Sequence, residues 1–78
     1  MEDIKLHDVV ALLVDLPAQK LQRGDVGTVV EVFEQKAQHP GGFIIEFVNE
    51  SGEVYAQADI TDVQQLVKLH FNFQREAA

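Results

Sequence analysis

The stretch "RGDVGTVVEV", Arg23 to Val32, decides how this chain folds. Two glycines lie around Asp25 and Val26, and a run of valines follows directly. β-branched residues of this kind favour strands over helices, so "VGTVVEVFE" predicts a strand. Gly27 interrupts its apolar pattern, and we expect a β-bulge or a sharp bend there.

Other short apolar runs, each bounded by turn residues, predict further strands on both sides of this one. "DVVALLV", Asp8 to Val14, is too short for a typical helix and is followed by the Leu16-Pro17 stop. "FIIEFV" and "EVYAQAD" are joined by "NESG", which predicts a tight hairpin. "LVKLHFNFQ" alternates with period two and predicts the last strand, while "ITDVQQ" before it has the composition of a single helical turn.

The sequence therefore predicts an all-β fold, a small five-stranded SH3-like barrel with one short helical turn before the last strand. One domain spans residues 1–78, and residues 70–78 form a C-terminal extension available for self-association. Closing the sheet would remove edges that otherwise promote aggregation. An OB-like barrel or an open meander would fit the same pattern less economically.

The charge balance argues against nucleic acid as a partner. Thirteen acids against six bases give a formal net charge of −7, whereas binding to a phosphate backbone depends on clustered Lys and Arg. The six bases are scattered singly at Lys5, Lys20, Arg23, Lys36, Lys68 and Arg75. We expect instead a protein partner with a basic surface.

The chain has no cysteine, so disulfides and thiolate chemistry are excluded. The N-terminal "MEDIKLHD" carries acids where a signal peptide needs bases, and the longest apolar run, Val9 to Val14, is too short to span a bilayer. These features predict a cytoplasmic protein without membrane contact.

No residue constellation specifies a reaction. His7, His39 and His70 lack the spacing of zinc ligands, and the single serine, Ser51, lies in the predicted hairpin turn. Five aspartates near predicted strand ends are expected to accept turn or cap hydrogen bonds, namely Asp8, Asp15, Asp25, Asp59 and Asp62. We predict no catalytic residue, no metal site and no cofactor, and hence a protein that is not an enzyme.

Three aromatic residues are candidates for an interface. Tyr55 has polar neighbours on its face of the predicted strand, and Phe71 and Phe73 extend an apolar face beyond the length that a small barrel needs. A symmetric homodimer or a higher oligomer would bury the two phenylalanines. The alternative is that this segment folds over the mouth of its own barrel.

The stretch Arg23 to Val32 resembles the glycine-containing strand start of KOW-type and other SH3-like barrels. The resemblance implies that Gly24 provides a turn, that Val26 points into the core, and that Gly27 allows a bend or a close backbone approach. It also keeps open an alternative function, a KOW-like nucleic-acid-binding module.

A wider resemblance covers Leu6 to Leu69. "LHDVVALLVDLP", "LQRGDVGTVVEVFE", "FIIEFVNESGEVYA" and "QQLVKL" are similar to small uncharacterised bacterial proteins grouped as domain of unknown function 4926. The resemblance implies a stand-alone β protein, and the genomic neighbourhood of some members implies an antitoxin-like or immunity-like partner protein. The loop Gln35 to Gly42 looks longer than the family pattern, and the tail continues past the expected last strand.

Overall fold

The computed structural model describes residues 3–38 and 40–70 and shows one antiparallel sheet. Its strands are β1 (Val9–Leu12), β2 (Val26–Phe33), β3 (Gly42–Val48), β4 (Val54–Ile60) and β5 (Leu66–Lys68). Two single turns of 3₁₀ helix complete the secondary structure of the described residues, Pro17–Gln19 after β1 and Val63–Gln65 before β5. The predicted all-β fold, its five strands and the turn before the last strand are confirmed.

The strands lie in the order β4-β3-β2-β1-β5, with β2 at the centre. Gly27 fixes the register on both sides of this central strand, because it pairs with Val10 of β1 and with Phe47 of β3. β3 and β4 form the predicted hairpin, in which Phe47 pairs with Ala56. The chain segment with the two glycines therefore sits in the middle of the sheet.

The expected closure of the sheet by strand pairing is wrong for the described residues. Within residues 3–38 and 40–70, β4 pairs only with β3 and β5 pairs only with β1, so neither of their outer edges is paired by that part of the chain. The chain between Ile60 and Leu66 instead forms the second 3₁₀ turn, in which the Gln65 amide donates to the Asp62 carbonyl at 3.0 Å. Ile60 and Leu66 nevertheless belong to one buried cluster, so the curled sheet brings its two edge strands onto a common core.

The core takes residues from every strand. Its buried members are Val10, Leu12, Leu21, Val29, Ile45, Phe47, Ala58, Ile60 and Leu66. Leu21 reaches this cluster from the loop between β1 and β2, where its backbone exchanges two hydrogen bonds with Leu16 at 2.9 and 3.1 Å. No polar or charged side chain among the described residues is buried. Apolar packing and the backbone hydrogen bonds of the sheet therefore hold the core together.

The two glycines of the opening stretch have different roles. Gly24 has a φ of +94°, a left-handed conformation that glycine adopts without steric cost, and it makes the predicted turn into β2. At Gly27 an added Cβ would lie 2.6 Å from Cγ2 of Ile45 and 2.8 Å from the carbonyl oxygen of Glu46. The expected close backbone approach at Gly27 is thus confirmed.

Two details of β2 differ from the expectation. Val26 does not point into the core, because its neighbour Gly27 faces the core and successive residues of a strand face opposite sides. The bulge is not at Gly27 either, since the register with β3 shifts between Val29 and Glu31 and leaves Val30 as the extra residue.

Candidate functional site

Four of the five aspartates singled out in the sequence hold turns or connections, as predicted. Asp8 accepts from the Lys5 amide at 2.8 Å, and Asp25 accepts from the Gln22 amide at 2.9 Å. Asp15 accepts from the Arg23 amide, also at 2.8 Å, and Asp62 caps the second 3₁₀ turn through the Gln64 amide at 2.9 Å. These carboxylates satisfy backbone donors, which is a structural role.

Asp8 also makes the ion pair that joins the start of β1 to β5. Its Oδ2 lies 3.2 Å from Nζ of Lys68. The hydrogen bond from the Lys5 amide lowers the pKa of the Asp8 carboxyl most, and the Lys68 ammonium lowers it further. The pair links the chain before β1 to the last residue of β5, an edge strand of only three residues.

The histidines do not come together in the described part of the chain. His7 is exposed with a φ of +75°, and its amide donates to the Val29 carbonyl at 2.8 Å. His70 is exposed at the end of the described chain, and His39 lies outside the described residues. Within residues 3–38 and 40–70, no three His, Asp or Glu side chains are grouped as metal ligands.

An open groove of about 440 Å³ lies between the end of β2, the start of β3 and the second 3₁₀ turn. Its described lining is apolar or uncharged and consists of Phe33, Gln35, Pro40, Gly41, Gly42, Phe43, Thr61 and Val63. General acid or base catalysis needs a titratable side chain within reach of the substrate. The described lining of this groove supplies none.

The most distinctive surface is a line of valines on the outer face of the sheet. Val48 of β3 pairs with Val54 of β4, and the register of Gly27 with Phe47 places Val26 beside Val48. We call Val26, Val48 and Val54 the valine row. The three valines are 45%, 47% and 53% exposed, respectively. Three adjacent strands therefore present apolar side chains to solvent side by side across the sheet.

The β3–β4 hairpin that carries two of the three valines is rich in acidic residues. Glu46 lies two residues before Val48 on the same face of β3, and Glu53 directly precedes Val54. Glu50 and Asp59 are exposed in the hairpin turn and on β4. No Lys or Arg occurs anywhere between Lys36 and Lys68 in the sequence. The β3–β4 hairpin is therefore a strongly negative part of the surface.

Tyr55 lies next to the valine row. The register between β3 and β4 shifts at this point, which leaves Tyr55 as the extra residue of a second bulge. Desolvation raises the pKa of its phenol, and the nearby Asp25 carboxylate raises it further. Tyr55 is half exposed, so this candidate contact residue is accessible. The other two interface candidates, Phe71 and Phe73, lie outside the described residues.

The region of the chain that matches a known protein family includes this surface. The family model described as Domain of unknown function (DUF4926) matches residues 6–67. The chain belongs to the DUF4926 family. Neither the search of the curated proteins nor the search of the solved structures found a match to this chain. No helix in the described part of the chain is long and apolar enough to cross a membrane.

The matched DUF4926 region contains the whole valine row and Tyr55, and it ends before the tail that carries Phe71 and Phe73. Sequence reasoning named Tyr55 but missed the three valines. The one residue in the sequence that points to the row is Gly27, because a glycine that faces the core places its neighbour Val26 on the outer face. The alignment of Val26 with Val48 and Val54 depends on strand register, which the sequence does not state.

Proposed function

We propose that this DUF4926 protein is a non-enzymatic protein-interaction module whose partner presents a basic surface. The observation that carries the proposal is the valine row, which keeps apolar side chains in water beside the carboxylates of the β3–β4 hairpin. Exposed apolar residues with a polar rim are typical of protein contact sites. A partner that covers the row would remove this apolar surface from water.

The net charge supports a basic partner. At −7, the chain attracts a positively charged protein and repels nucleic acid. Complementary charge raises association rates and disfavours wrong partners. An antitoxin-like or immunity-like role in the cytoplasm is the specific form that we propose, because proteins that bind or cleave nucleic acid commonly offer a basic surface that an acidic domain can cover.

We also propose that the curled sheet is an SH3-like barrel. Three features support this assignment: the strand order β4-β3-β2-β1-β5, the bulge in the central strand, and the 3₁₀ turn between β4 and β5. The outer edges of β4 and β5, which are unpaired within the described residues, would make it an incompletely paired example. In an architecture of this kind, function depends on exposed side chains and loops rather than on the fold itself.

A KOW-like nucleic-acid module is the competing function. It is favoured by Gly24 and Gly27, which make the turn and the close approach that the KOW resemblance implies. The basic residues count against it, because Lys68 is paired with Asp8 and the remaining bases are scattered along the chain. Nucleic-acid binding would need a concentrated positive face.

An affinity purification from the native host separates the two functions. The tagged protein is used at low and at moderate salt, and the eluates are analysed for both protein and nucleic acid. One stoichiometric basic protein that is lost as salt rises is the expected result. Enriched nucleic acid without a protein intermediary would overturn the proposal in favour of the KOW-like module.

A further inference from the structure

We infer that the valine row is the docking site for a basic amphipathic helix of the partner protein. This inference rests on the proposed function and adds the site and the chemistry of the bound segment. The apolar face of the helix would cover Val26, Val48 and Val54, and its Lys and Arg side chains would face the carboxylates beside the row.

The spacing of the row fits a helix that crosses the strands. Neighbouring strands lie about 4.8 Å apart, so the three valines recur at that interval across the sheet. An α-helix has a pitch of about 5.4 Å and presents an apolar side chain on one face about once per turn. A helix across β2, β3 and β4 therefore brings successive apolar residues opposite successive valines.

The charges select a basic helix over a second copy of this chain. Glu46 shares the face of the row on β3, and Glu53 and Glu50 lie in the chain that connects Val48 to Val54. A second copy would bring the same carboxylates to the same place, and like charges across an interface are unfavourable. Lys and Arg on the flanks of a helix would neutralise them.

The direct test is the affinity of a defined helical probe. A peptide of about 14 residues, roughly four turns, repeats the pattern Leu-Lys-Lys-Leu-Leu-Lys-Leu, and a second peptide replaces every Lys by Glu. We expect the full-length protein to bind the Lys peptide and not the Glu peptide in isothermal titration calorimetry. In amide NMR spectra, the shift changes should centre on Val26, Val48 and Val54.

Two paired substitutions isolate the apolar contact. V48T/V54T keeps the shape and strand preference of valine but places hydroxyl groups on the row. V30T/V32T makes the same change at valines of β2 outside the row, which are 37% and 42% exposed. We expect V48T/V54T to weaken Lys-peptide binding about tenfold and V30T/V32T to leave it close to wild type.

A second pair of variants, matched in net charge, isolates the charge contact. E46Q/E53Q removes two carboxylates beside the row and keeps side-chain oxygens that can accept the bonds from Gln57 and Asn49. E31Q/E34Q removes two carboxylates from the end of β2 and the residue after it. Both variants carry two fewer negative charges, so a general charge effect would weaken them equally. We expect the larger loss in E46Q/E53Q.

The outcomes distinguish this inference from the proposed function. Equal affinities in V48T/V54T and V30T/V32T, with peptide still bound, would overturn the docking site and leave the interaction with basic proteins standing. Equal losses in the two charge variants would likewise overturn the site. A wild-type protein that binds neither peptide would overturn the docking of a basic helix, whereas the affinity purification decides the proposed function independently. Circular dichroism of each variant confirms that the comparison is made between folded proteins.

Discussion

At Gly27 the core leaves no room for a side chain, because an added Cβ would approach both the Ile45 side chain and the backbone of Glu46. The backbone carbonyl cannot rotate away as a flexible side chain can. We expect Gly27→Ala to lower the free energy of unfolding by about 1–3 kcal/mol, the usual cost of overpacking a core. Urea denaturation of the variant and the wild type measures this loss.

Gly24 provides the matched control. An alanine there meets no atom within 4 Å, so its cost comes only from the φ of +94°. Asparagine tolerates this left-handed conformation better than alanine does. Gly24→Asn should therefore be more stable than Gly24→Ala, whereas Gly27→Asn should be at least as unstable as Gly27→Ala. If Gly27→Ala were as stable as the wild type, β2 and β3 would have to be able to move apart at this position.

Asp8 should make stability depend on pH in the acidic range. Its carboxyl has a pKa below the ordinary 3.8, because the Lys5 amide and the Lys68 ammonium favour the charged form. A lowered pKa in the folded state stabilises the fold above the unfolded pKa, and this contribution is lost as the pH falls through the folded value. We expect Asp8→Asn to lower the melting temperature at neutral pH and to match the wild type in strong acid.

Thermal melts across this pH range measure the effect. Asp15→Asn is the control, since Asp15 also accepts a backbone hydrogen bond but makes no ion pair in the described chain. If Asp8→Asn remained less stable than the wild type at the lowest pH, its effect would come from altered hydrogen bonding rather than from charge.

The β3–β4 hairpin depends on one side chain in its turn. Oδ1 of Asn49 accepts from the amides of Ser51 at 2.9 Å and Glu53 at 3.0 Å, and Gly52 adopts a φ of +81°. Asn49→Ala removes the acceptor for both amides and should cost about 1 kcal/mol of stability. Asn49→Asp keeps the acceptor but replaces the amide that donates to Oε1 of Glu53 at 3.2 Å with a second carboxylate, so it should recover only part of this loss. Chemical denaturation of the two variants tests whether the turn is held in this way.

The elements that the sequence predicted correctly are those with local causes. The hairpin turn "NESG" and the Asp62-capped 3₁₀ turn have chemistry that operates within a few residues. The bulge at Val30 and the outward direction of Val26 depend on which residue of β3 lies opposite, and a shift of one residue reverses every side chain. The valine row escaped prediction for this reason, whereas the exposure of Tyr55 follows from the polar residues Gln57 and Asp59, which alternate with alanines further along the same strand.

At the scale of the molecule, the same net charge has opposite effects on the two kinds of association. Each copy carries −7, so two copies repel, and added salt should strengthen self-association by screening that repulsion. Binding of a basic partner should instead weaken with salt. The salt dependence of a complex therefore shows which kind of contact holds it together, before its interface has been mapped.

The C-terminal extension, residues 70–78, is where we predict self-association. Burying one aromatic side chain contributes about 1.5–3 kcal/mol, so a dimer that covers Phe71 and Phe73 can outweigh moderate repulsion. We expect the wild type to sediment as a dimer and Phe71→Asp with Phe73→Asp to sediment as a folded monomer. Asn72→Asp with Gln74→Asp adds the same charge at the alternate positions and should remain dimeric.

The alternative arrangement gives a different result in the same sedimentation experiment. If the tail covers its own barrel, the wild type is already a monomer, and the change at Phe71 and Phe73 lowers the melting temperature without changing the mass. A dimer that persists with both aspartates in place would move the self-contact away from the tail. Because Phe71 and Phe73 lie beyond the matched family region at residues 6–67, that result would make the DUF4926 domain the next region to test for the self-contact.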